Sequence, residues 1–219
     1  MAFSGYRVNT GIAMNEWETL HAVALASLLA WASGIRLYFV IFILGLAARF
    51  QYVELPPGLH VLSHDFVIGA AGLLLTIEFL ADKVPGLDSA WDAVHTFIRI
   101  PAGALLAAGA TGDNLNALTI AAGLLGGTIT AGTHFTKAGG RAAINTSPEP
   151  VTNWTASFAE DAVVMGGMWL ALFHPAVFIA LLLLFLLLVA WLLPKLWRLA
   201  KRALRALSPP PSANEAGRG

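Results

Sequence analysis

The sequence predicts an all-α fold, a polytopic transmembrane helical bundle of about six spans whose first span is broken near Gly34. Three observations predict it. The 219 residues are 57% hydrophobic and only 12% charged, against about 45–50% and about 25% in soluble domains. That much charge does not coat a water-soluble surface of this size, so lipid is the expected solvent for much of the chain. Apolar stretches recur between short loops, and the basic residues gather at particular span ends.

The elements follow in order. Residues 1–18 form a short cytoplasmic segment, and 19–194 the transmembrane helical domain. The first twenty residues carry Glu16 and Glu18 and lack the basic, apolar and small-residue succession of a cleaved leader, so the first hydrophobic segment is expected to stay as an anchor. Residues 19–50 are too long for one straight span at 1.5 Å per residue. Ser33-Gly34-Ile35-Arg36 interrupts them with a glycine and a charge. Residues 66–84, 89–110, 115–137 and 152–173 each supply 19–23 residues, enough to cross a bilayer. Ser89, with Asp92 three residues on, reads as a capping box opening the third span. Residues 176–193 carry no charge and end at Pro194.

Beyond Pro194, Lys195, Arg198, Lys201, Arg202 and Arg205 alternate with leucines at helical spacing. Residues 195–207 thus read as a basic amphipathic interfacial helix and 208–219 as a disordered tail. With this basic end inside, six spans leave Arg49 alone among Lys and Arg on the outer side. Both termini are then cytoplasmic, at a bacterial inner membrane.

Thirteen basic and thirteen acidic residues cancel, so nothing in the charge balance invites nucleic acid. The absence of cysteine excludes disulfides, thiolate catalysis and iron–sulfur clusters. The informative charges all fall in the cytoplasmic half. Glu78 and Asp82 share one face of span two, while Asp88, Asp92, His95 and Arg99 step by four, three and four along span three. Arg99 then lies roughly 15 Å up its helix, close to mid-bilayer, where an unpaired charge costs about 2.5–3.5 kcal/mol. Such residues should face one another, or water, inside the bundle. His134, Lys137 and Arg141 close span four, and Glu160 and Asp161 sit two turns into span five.

Arg36, the Glu78 to Arg99 group, the span-four cations, Asn145, Asn153, Glu160 and Asp161 are the candidate lining of a cytoplasm-facing cavity. The plainer reading makes the charges ion pairs between helices, with Lys83, Lys137 and Arg141 snorkelling to headgroups. Glu160 and Asp161, being adjacent, are not expected to point the same way. His21, His60, His64 and His174 lie near span ends and read as interfacial. Gly123, Gly127, Thr128 and Gly132 form small-residue ridges for close helix packing. Gly34–Arg36 ahead of Glu78 and Asp82, echoed by Gly139-Gly140-Arg141 ahead of Glu160 and Asp161, has the order of a 3+3 inverted repeat.

The run from Glu78-Phe-Leu-Ala-Asp-Lys-Val-Pro-Gly-Leu-Asp88 through Trp91-Asp92 and His95-Thr-Phe-Ile-Arg99-x-Pro-Ala-Gly103 resembles a bacterial membrane family, domain-of-unknown-function family 4126. Lys137-Ala-Gly-Gly-Arg141, Asn145-Thr-Ser-Pro-Glu-Pro150, Asn153 and Ser157-x-x-Glu-Asp161 carry the same resemblance, which spans roughly residues 20–195. It implies a polytopic membrane protein and brings no biochemical activity. Glu78-x-x-x-Asp82-Lys83 is also similar to the Glu-x-Gly-Asp-Lys-Thr signature of small six-span cation exchangers, with one residue more and without the Gly and Thr.

These readings favour a transporter or channel for a small ion or polar solute. The alternatives are a lipid flippase, in which Arg99, Lys137 and Arg141 meet a phosphate, and a scaffold without turnover. No catalytic string is recognised, so an enzyme is not expected and no cofactor is evident. The acidic oxygens of Glu78, Asp88, Asp92 and Glu160 allow a divalent cation. The expected partners are the bilayer and the solute, and a homo-oligomer is also allowed.

Overall fold

In the computed structural model, residues 16–112, 114–146 and 150–207 are described. Among them every regular element is helical: α1 (Glu16–Arg49), a 3-10 turn (Pro57–Ser63), α2 (Asp65–Ala81), α3 (Leu87–Gly109), α4 (Ala117–Ile144), α5 (Pro150–Phe173) and α6 (Pro175–Leu207). Of the segments expected at the chain ends, 1–18 and 208–219, residues 1–15 and 208–219 lie outside the described residues, and residues 16–18 open α1. The chain divides into two compact units, Met1–Leu182 and Leu183–Gly219.

α1 is the axis of the first unit. From Ala22 to Gly45 most of its side chains are buried, and it packs against α2, α3, α4 and α5. The expected break is present at Arg36, whose φ of −142° and ψ of 68° leave the helical region inside an otherwise continuous helix. Glycine permits the closest crossings. A Cβ on Gly34 would stand 2.7 Å from the Thr130 carbonyl oxygen and 2.9 Å from the His134 backbone nitrogen, so α1 meets α4 backbone to backbone. Thr130 fixes this crossing with a 2.7 Å hydrogen bond to the Ala30 carbonyl.

Local chemistry sets the ends. His64 caps α2 by accepting from the Phe66 backbone N–H, and Asn116 caps α4 by accepting from Thr119. The expected capping box at Ser89 is not what opens α3. Its N-cap is Gly86, at a φ of +86° that favours glycine, and Asp88 accepts from the Gly86 and Ser89 backbone N–H groups. Asp92 is thereby released for the interior. α4 continues seven residues past the expected end at 137, carrying Arg141 on the same helix as Lys137.

α3 shows which solvent the fold suits. Asp88, Asp92, His95 and Arg99 are buried, whereas Phe97 and Leu105 are 83% and 73% exposed. A water-soluble helix arranges these types the other way round. Leu124 and Leu125 of α4 and Leu73 and Leu80 of α2 extend the apolar exterior.

By length and composition, two helices among the described residues qualify to cross a membrane, Glu16–Arg49 and Val151–Phe173. The 3-10 turn and α2, bent by 68°, add a third if they form one span. Six spans are thus more than this test supports. In the second unit the helix runs on to Leu207 with Pro194 inside it, and the Lys195 ammonium lies 3.1 Å from the centre of the Trp191 ring.

Candidate functional site: a buried charge network around the α1 break

The site is built from the break outwards. Arg36, fully buried, reaches α2 and α5 at once. One guanidinium nitrogen contacts Asp82 and lies 4.0 Å from Glu78. The other donates to the Ser157 hydroxyl at 2.8 Å and carbonyl at 3.0 Å and lies 3.4 Å from Glu160, while Nε lies 2.8 Å from Asp161. Glu160 and Asp161 therefore both serve one guanidinium, contrary to the expectation drawn from their adjacency. A planar group offering donors on two edges accommodates successive residues of a helix turn.

The break also presents backbone oxygens. Arg99 donates to the Gly34 carbonyl at 3.4 Å and Lys137 to the Ile35 carbonyl at 3.1 Å. Arg99 pairs with Glu78, and with Asp92 at 3.0 Å. Lys137 is the hub, its ammonium 3.4 Å from Glu160, 3.5 Å from Asp92, 3.7 Å from Asp82 and 3.8 Å from Glu78. Arg141 closes the side nearest the α4–α5 connection, 2.8 Å from Glu160, 3.6 Å from Asp82 and 3.9 Å from Asp88, with a 3.2 Å bond to the Asp82 carbonyl. Asn145 donates to both Asp88 oxygens at 2.8 and 3.1 Å, and Asn153 donates to Asn145 at 3.1 Å.

Lys137 and Arg141 are thus interior groups, with side chains 3% and 1% exposed, and not the headgroup anchors that their position near a span end suggested. Lys83 keeps more of that character. Its ammonium lies 3.0 Å from the Phe79 ring centre and 4.9 Å from that of Phe158.

The histidines separate. His134 is fully buried, 2.7 Å from the Thr96 hydroxyl and 3.5 Å from Arg99. His95 stands beside the network, stacked on Trp91 at 4.0 Å, edge-on to Tyr38 and bonded through Nδ1 to the Trp91 carbonyl.

All the expected site residues therefore belong to one network around the α1 break, His95 one layer back. Unpredicted members are Ser157, Thr96 and Tyr38, along with Gly103, where a Cβ would press into Thr130. Polar residues one or two turns from a charge were their signal in the sequence. In place of an open vestibule the residues form a packed network, whose most open ion-pairing members are Glu160 and Asp161, 17% and 24% exposed. Among the described residues no group of three or more His, Asp or Glu is placed to hold a metal ion. Lys137 stands where the acidic candidates would converge on one, and Asp88 is engaged by Asn145.

A family model described as "Domain of unknown function (DUF4126)" matches residues 23–195. No curated protein and no solved structure matches the chain.

Proposed function

Starting from the chain's membership of the DUF4126 family, whose description assigns no activity, we propose that this protein is a transporter or channel for a small ion or polar solute, with the charge network as its working centre. One observation carries the reading. A single connected set of ion pairs, most members 0–1% exposed, ties α1, α2, α3, α4 and α5 together at the point where α1 is broken. Buried ion pairs are poor sources of stability, since apolar residues of similar volume often serve as well or better. In membrane interiors such groups mark substrate paths and relays, and broken helices offer backbone oxygens to substrates.

The proposed topology is six spans, both termini on the cytoplasmic side of the inner membrane. In a 3+3 inverted repeat Arg36 of α1 and Arg141 of α4 would be counterparts, and each pairs with Asp82 and with Glu160.

Reconstitution tests the proposal. In proteoliposomes screened with small ions and polar solutes, wild-type protein gives flux that Glu78→Gln or Asp92→Asn abolishes while the protein still inserts and folds. Full flux in both variants ends the carboxylate mechanism. The closure of the network favours a second reading, a scaffold stapled by ion pairs, which predicts no flux in any variant.

A further inference from the structure

The 3-10 turn and the charge network lie at opposite ends of α2 and α3, and the two ends are closed by different means. At the turn, glycines bring backbones into contact. A Cβ on Gly45 would collide with the Leu62 carbonyl oxygen, and one on Gly109 would stand 2.8 Å from that of Gly58. Leu59 and Leu62 of the turn are buried between them. Parting these surfaces means moving whole elements, because a close-packed interior has no slack to give.

α5, at the other end, is held differently. Among the described residues it packs along α1, only narrowly on α4, and closely against neither α2 nor α3. Side chains join it to α2. Arg36 spans from Asp82 to Ser157, Glu160 and Asp161, and the Phe79 ring meets Phe158 edge-on with centres 6.1 Å apart. Lys83 completes the seam. Among the described residues it joins none of the network's ion pairs. Its ammonium lies over the Phe79 ring and reaches across to α5, 4.9 Å from the Phe158 ring centre and 5.7 Å from that of Trp154. The Ser157 hydroxyl accepts from Lys83 at 3.5 Å and from Arg36 at 2.8 Å, so the seam and the network meet at one oxygen. A cation among aromatic faces is attracted without an ion pair, strongly enough to bias a seam and weakly enough to let go.

We infer that Lys83 is a latch: its ammonium, clasped by Phe79, Phe158 and Trp154, holds the α2–α5 seam shut, and the network opens to water along that seam when the latch releases, while the glycine-packed end stays closed. This deepens the proposed function by naming the way into the same centre, and it concerns access, not flux.

The chain has no cysteine, so single cysteines report access in the full-length protein, folded in detergent. A small water-soluble thiol reagent is timed on Ser157→Cys, at the latch, and on Val40→Cys, fully buried on α1 beyond the break. Adding Lys83→Met, which keeps the apolar stem and removes the charge, should speed the reaction of Ser157→Cys about tenfold and leave that of Val40→Cys unchanged. Adding Lys83→Arg, which keeps a cation, should leave both rates near their starting values. Three results overturn the latch. One is a Ser157→Cys rate that Lys83→Met does not change, including no reaction with or without it. Another is equal speeding by the Met and Arg variants, and the third is equal speeding at both cysteines, which is loosening of the whole fold. Flux is measured separately. A latch without flux in any reconstitution leaves the seam and removes the transport reading, and flux with labelling indifferent to Lys83 does the reverse.

Discussion

At the scale of single residues, Arg36 has the largest consequence. Its guanidinium serves Asp82, Glu160, Asp161 and Ser157 at once. Removing one partner of a buried ion pair leaves an uncompensated charge and costs about 3–5 kcal/mol. Arg36→Met should lower stability by that order in detergent unfolding experiments. Asp65→Ala, which breaks the exposed 2.8 Å pair with Arg49, should leave the midpoint unmoved. Equal effects would mean that Arg36 is solvated in the folded protein. The sequence announces Arg36 through its neighbours Ser33 and Gly34, and the Asp88–Arg99 stripe through its spacing. It does not announce partners. Lys137 reads as a surface cation because it lies near an expected span end; its role as hub appears only when three other helices, α2, α3 and α5, supply the carboxylates.

At the scale of elements, the network depends on backbones approaching closely. α1 meets α4 at Gly34, where a Cβ would collide with backbone atoms, and α3 meets α4 where Gly103 faces Thr130. Gly34→Ala should therefore destabilise the protein by about 1–3 kcal/mol through overpacking. Gly132→Ala, on the same helix α4 but with nothing within 4 Å of its Cβ position, should be neutral or slightly stabilising by helix propensity. Thermal unfolding of both variants in one detergent checks the contrast; a Gly34→Ala protein as stable as wild type would mean that α1 does not pack on α4 here. The sequence signalled small-residue packing on α4 through Gly123, Gly127 and Gly132, and Gly127 does face Ala104 at 3.3 Å. Gly132 does not take part, because a four-residue ridge drifts off the contact where α1 replaces α3 as the neighbour. Helix boundaries were legible to within a few residues for α2, α3 and α5. The seven extra residues of α4 were not, since its Gly-Gly-Arg end looks like a loop until Arg141 finds Glu160 and Asp82.

At the scale of the whole molecule, polar groups turn inward and apolar groups outward, which is the arrangement that composition alone suggested. Composition also suggested six spans. Among the described residues, length and hydropathy support two helices, or three. The proposed function rests on the buried charges. Those charges either open to water during a working cycle or stay shut as a staple. Ser157, fully buried and bonded to Arg36, is the position from which to tell, because Ser157→Cys is a small change in a chain without cysteine. In sealed vesicles, a small water-soluble thiol reagent should label this cysteine slowly when applied to the cytoplasmic side and not when applied outside. If the folded protein stays unlabelled from both sides while the unfolded protein reacts fully, the network does not open to water, and the transport account is wrong.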